Sequence, residues 1–241
     1  MRSRLSLLLF LLLATPAYGA IAFDAVTTNA QTTGDLSFSH TPVGTPRGVL
    51  VYVVTNAVGS DEVVGITYGG TAMTETASSP VVNSTGELGA SHCFFLGSSV
   101  PAGAQTVAVD VGAGTVSIAA CVTVTAANDT SVVTTGSVLS NNTATTTTTL
   151  LLGGVSSFCM TGFWTGLNAV TNFAPLTGWT ERIENDFTSQ CAGIYTYDTV
   201  GTTDVSAGYT NSGGDDAALH NIAIRENAVV GGSAAQVILV S

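Results

Sequence analysis

Past residue 20 the chain is a succession of short runs rich in β-branched and aromatic residues, each closed by a turn signal. Val49–Val54, Val63–Tyr68, Ser91–Leu96, Thr106–Val111 and Val116–Thr125 are such runs, and Gly69-Gly70, Pro101-Ala102-Gly103 and Gly112-Ala113-Gly114 punctuate them. No stretch between them has the 3.6-residue apolar period that a parallel sheet with covering helices requires. Many short strands at this spacing predict an all-β fold, an antiparallel sandwich or barrel.

The second half echoes the first. Val49–Thr55 answers to Thr149–Phe158, Ile66–Glu75 to Leu176–Glu184, and Ser91–Gly97 to Gln190–Asp198, with Cys93 and Cys191 in register. Thr106–Val111 and Val116–Thr125 answer to Asp204–Tyr209 and Leu219–Glu226. The pattern predicts two pseudo-repeated five-stranded halves, about 36–126 and 145–226, joined by Ala126–Thr145 and folded into one jelly-roll-like sandwich over 20–227.

Before this domain stand Met1-Arg2-Ser3-Arg4, the apolar run Leu5–Ala14 and the small-residue ending Ala17-Tyr18-Gly19. Basic start, short greasy core and small-x-small end are the marks of a secretory signal peptide over 1–19. The run falls short of the roughly 20 apolar residues that span a bilayer, so no transmembrane segment is expected in the mature chain. The predicted address is secreted, extracellular or at the cell surface.

Composition then narrows the partners. The sequence has 5 basic residues, none of them lysine, against 16 acidic ones. Removal of the signal leaves Arg47, Arg182 and Arg225. Nucleic-acid binding draws its affinity from neutralised phosphates, so three scattered arginines argue against it. An anionic membrane surface is disfavoured on the same ground. Hydrophobic residues make up 45% and charged residues 9%, which is the reverse of a disordered composition.

Cys93, Cys121, Cys159 and Cys191 lie in the exported part. One or two disulfides fit an oxidising compartment, and four buried thiols on strands fit equally. No metal-ligand spacing occurs among them. His40, His92 and His220 sit in strand patterns, and no nucleophile elbow, P-loop or zinc-protease motif is present; no catalytic residue is assigned. Asp61-Glu62, Glu184-Asn185-Asp186 and Asp215-Asp216 offer oxygen ligands suited to Ca²⁺, without the spacing of an EF-hand. Asn83, Asn128 and Asn141 open formal N-glycosylation sequons.

Several segments resemble a module of uncharacterised secreted, surface and phage-associated bacterial proteins. They are Ile21–Ala25, Leu36–Thr41, Arg47–Val53, Val64–Thr74 and Gly178–Arg182, ending near Ala223–Arg225. The resemblance implies a jelly-roll-like β-sandwich and transfers no catalytic residue.

Behind the module come a Gly231-Gly232-Ser233 joint and the aliphatic run Val237-Ile238-Leu239-Val240. Continuous apolarity is the pattern of a strand buried on both faces. Such a strand either completes its own sheet or is donated to a neighbouring copy. Ile21, Phe23 and Ala25 at the other end are the alternative donor, freed when the signal is removed. The function expected is therefore a non-enzymatic structural subunit that self-assembles through a terminal strand. The rival is a carbohydrate-binding or adhesin-like module, for which Trp179, in Gly178-Trp179-Thr180, is the candidate sugar platform.

Overall fold

The computed structural model describes residues 21–56, 62–83, 89–112, 115–126, 128–166, 173–186 and 190–227. The signal segment 1–19 and the aliphatic run Val237–Val240 lie outside the described residues. In chain order the strands are β1 (Ala22–Thr33), β2 (Leu36–His40), β3 (Gly48–Thr55), β4 (Val63–Tyr68), β5 (Thr71–Ala72), β6 (Thr74–Glu75), β7 (Val81–Asn83) and β8 (Gly89–Leu96). They continue as β9 (Gln105–Val111), β10 (Val116–Thr125), β11 (Thr130–Leu150), β12 (Ser157–Thr165), β13 (Phe173–Pro175), β14 (Thr180–Asp186), β15 (Cys191–Gly201) and β16 (Val205–Glu226). The strands form an all-β, antiparallel, sandwich-like fold, as the punctuated runs predict.

Two large sheets and one small sheet hold these strands. The first follows β1-β10-β3-β8-β6, with β7 also on β8; the second follows β11-β16-β12-β15-β14, with β13 on β16; the third is β2-β9-β4-β5. Burial reports where each strand lies. β3 and β12 have no exposed residue, because each is covered on both faces, and β3 accordingly reads as a continuous apolar run from Val49 to Val54. β9 alternates exposed Thr106 and Asp110 with buried Val107, Val109 and Val111, the pattern of an outer strand with one wet face.

Three hydrophobic clusters separate the layers. The central one joins Leu50, Tyr52 and Ile118 of the first sheet to Met160, Trp164, Ile194 and Ile222 of the second. A second packs Val51, Val53 and Cys121 against Ile66, Tyr68 and Val109 of the small sheet. The third covers the other side of the second sheet and contains Cys159, Phe163, Tyr195 and Tyr209. Phe163 pairs in register with Leu219 of β16 yet also stacks, at 4.0 Å between centroids, on Tyr209 of the same strand. The early part of β16 therefore folds back over the sheet to which its later part belongs. β11 accompanies it, and the register shifts between Ser140 and Thr145 mark the bend. Among the described residues the core is thus divided into three clusters.

The large sheets pack closely where glycine removes a side chain. A Cβ on Gly89 would fall 2.2 Å from the Trp164 ring, and one on Gly162 would fall 2.5 Å from Tyr52 Cδ1. Both large sheets also share one strand sequence from edge to centre, though with a different register from that expected. The strand placed like β3 is Ser157–Thr165, whereas Thr149 belongs to β11. Cys93 faces Tyr52 within β3, while Cys191 faces Thr165 at the end of β12, so the two cysteines do not correspond.

Candidate functional site

The chemistry-bearing side chains converge on a polar seam between the two large sheets. Tyr52 on β3 donates its hydroxyl to the His220 carbonyl at 3.1 Å and lies 3.0 Å from His220 Nδ1 on β16. Ser91 on β8 donates to the Gly162 carbonyl at 2.9 Å. Next to them, Ser79 donates to Glu75 at 2.8 Å and accepts the Cys93 amide at 2.9 Å. Glu75 stands 3.4 Å from His92 Nδ1. Strand alternation turns Tyr52, Ser91 and His220 toward the facing sheet, whereas His92, opposite Val53, and Glu75, opposite Phe94, occupy the alternate positions, and Ser79 lies in the turn between β6 and β7.

Burial sets the protonation of this seam. Desolvation pushes His220 down to about 4, with the Ala77 backbone and Glu75 acting in the opposite sense. Burial acts to raise the Glu75 carboxyl, but hydrogen bonds from His92 and Ser79 outweigh it and hold the group below its ordinary range. Tyr52 is raised well above its ordinary value, chiefly by burial. Tyr52, His92 and His220 are all 0% exposed, so no substrate reaches them in the packed state. The seam acts as a lock between sheets, since breaking it leaves buried polar groups unpaired.

His40 belongs to a separate network. Its ring nitrogens lie 3.0 Å from Thr27 Oγ1 and 3.1 Å from Thr123 Oγ1, and Thr123 donates to Asp24 at 2.9 Å. Burial lowers the His40 pKa, with Asp24 opposing. The chain Asp24–Thr123–His40–Thr27 ties β1, β2 and β10 together.

Other sequence candidates are placed differently from expectation. Trp179 is not a surface platform: it is 6% exposed, sits in the third cluster, and donates Nε1 to the Ser206 carbonyl at 2.9 Å. The apolar face of the indole covers the folded-back part of β16, which is why a turn-flanked tryptophan is buried. The four cysteines form no disulfide and are buried. Cys93, Cys121 and Cys159 fall in three different clusters, separated by whole sheets, so no pair among those three meets bridging geometry. Cys191 lies at the far end of β15 from the rung of Cys159.

Of the terminal candidates, Ile21 is buried in the central cluster, with Phe23 packed against it. β1 is paired with β10 from Ala22↔Thr125 to Thr33↔Val116. Among the acidic loops, Glu184 accepts the Tyr195 hydroxyl. Among the described residues no three His, Cys, Asp or Glu side chains group as a metal site. No helix among them is long and apolar enough to cross a membrane.

An open groove of about 690 Å³ lies on the small sheet, lined among others by Asp35, Val64, Gly65, Ala108 and Asp110. Sequence reading missed both this groove and the polar seam. The seam carried a faint signal in Tyr52 and His220, polar-tipped residues inside apolar strands; the groove carried none.

No family model, no curated protein and no solved structure matches this chain. Of what the resemblance to the bacterial module implies, the structure supports the all-β, antiparallel, sandwich-like fold.

Proposed function

We propose that this protein is an exported structural subunit that assembles with copies of itself into an extracellular or cell-surface filament or layer. One observation carries the reading: the residues best suited to chemistry are used up inside the molecule. His40, His92, His220, the four cysteines and both tryptophans are buried in cores and interlayer networks. What faces outward is strand surface, sheet edge and carboxylate. Strand addition is the association mode that such a surface offers, with main-chain hydrogen bonds supplying affinity.

The terminal donor in this reading is Val237–Val240, since β1 is already paired along its length in its own sheet. A donated strand makes a heterologous contact, and heterologous contacts propagate into open filaments. The jelly-roll-like path of the sandwich and its two-halved plan belong to the same proposal. The carbohydrate-binding alternative loses its platform with the burial of Trp179.

Light scattering and electron microscopy of the chain lacking Met1–Gly19 test the proposal. Particles larger than a monomer support it. A monomer at all concentrations sinks it, and unchanged assembly after deletion of Gln236–Ser241 removes the C-terminal donor.

A further inference from the structure

We infer that the outer edge of β11, along Thr145–Leu150, is a self-pairing surface whose partner is the same edge of a second copy. The inference rests on the self-assembly reading above and names where two copies meet. Every open sheet presents two edges, and an unpaired edge is a template for another strand unless charge, brevity or proline protects it. Here the edges differ in length and charge. β5, β6 and β7 are two or three residues long and β2 is five. β14 carries Glu181, Arg182 and Glu184, and β1 carries Asp24.

Among the described residues β11 has none of these devices. It spans 21 residues, ends the strand order of its sheet, and contains neither a charged residue nor proline. No charged residue occurs anywhere from Thr130 to Thr180. In a chain of formal charge −11, two copies repel over most of their surface. They approach at least electrostatic cost along this edge.

Within β11 the stretch Thr145–Leu150 is suited to regular pairing. Its register with β16 runs unbroken from Thr145↔Thr210 to Leu150↔Val205. Thr146 and Leu150 point inward, while Thr145, Thr147 and Thr149 are exposed. Threonine favours the extended backbone, and facing threonines form good cross-strand pairs. Antiparallel pairing of one edge with itself is isologous and closes as a two-fold dimer. It would join two sheets into one continuous sheet.

The test introduces like charge where the two copies meet. In the full exported chain, Thr147→Glu with Thr149→Glu should lower the particle mass at least two-fold by light scattering. The circular dichroism spectrum should stay unchanged, because both side chains are exposed. Val64→Glu, on the groove of the small sheet, should leave the mass as it was. Single Thr145→Cys, Thr147→Cys and Thr149→Cys variants should include one that gives a covalent dimer on mild oxidation, against a background of buried native thiols. Failure of all three to cross-link, or an unaltered mass for the double glutamate variant, overturns the β11 interface. If deletion of Gln236–Ser241 alone then reduces the assembly to monomers, donation of that segment stands and β11 pairing falls. A monomeric wild-type chain overturns both.

Discussion

Gly162→Ala tests the face-to-face packing of the two large sheets most directly. Gly162 lies within β12, and an added Cβ would stand 2.5 Å from Tyr52 Cδ1, 2.9 Å from Cε1 and 3.1 Å from Ser91 Oγ. Ordinary contact begins at 3.4 Å, so the ring must retreat by roughly 1 Å in an interior packed at crystal density. It cannot pivot freely, because its hydroxyl is held by His220. Overpacking of this kind costs about 1–3 kcal/mol, and loosening a buried hydrogen bond adds about 1–3 kcal/mol. The reduced freedom of the unfolded chain returns about 0.4–1 kcal/mol. The net loss, about 1–5 kcal/mol, lowers Tm by roughly 2–20 °C for a domain of this size. Thermal unfolding followed by circular dichroism measures it. The double variant Gly162→Ala/Tyr52→Ala should be no less stable than Tyr52→Ala alone, since the clash is then gone. A Tm for Gly162→Ala within about 2 °C of wild type, the smallest shift expected per kcal/mol, would refute the interlock.

Three further outcomes follow from burial. His220 is held neutral with a pKa of about 4, below its ordinary 6.5, so the unfolded chain binds the proton first. Stability should fall as pH drops through 6.5 and level off below about 4, by about 3 kcal/mol for this group; urea midpoints across that range should show it, and His220→Gln should flatten the slope. The buried Cys159 thiol is raised to about 12, and all four cysteines are buried. Iodoacetamide should therefore label none in the folded protein and all four in denaturant; rapid native labelling would contradict the layer assignment. Trp179 and Trp164 should resist acrylamide quenching, and Trp179→Ala should cost about 3–5 kcal/mol; strong quenching in the native state would restore an exposed Trp179.

The strands were legible because their signal is local. Runs such as Val49–Val54 and Val116–Thr125 are β-branched and bounded by glycine or asparagine, and they fold where they were expected. Their partners were not legible. The register placed Cys93 and Cys191 together because each has a serine two positions before it, in Ser91-His92-Cys93 and Ser189-Gln190-Cys191, yet pairing shifts them to different rungs. The bend that lays Tyr209 on Phe163 leaves no local mark beyond the glycines near it. Trp179 looked exposed because turn residues flank it; its burial depends on a strand that arrives from Ser206.

The chain by itself determined that it is all-β, that its strands are short or continuous according to how many faces they bury, and that its charge balance disfavours nucleic acid as a partner. Those properties depend on residue type, neighbour and charge, all of which are read along one dimension. Tertiary structure alone decided that three cores lie between the layers, that histidine, cysteine and tryptophan are spent inside them, and that β11 is left as a long uncharged edge. Which edge stays open is a property of strand order, and strand order is set by contacts between residues far apart in sequence.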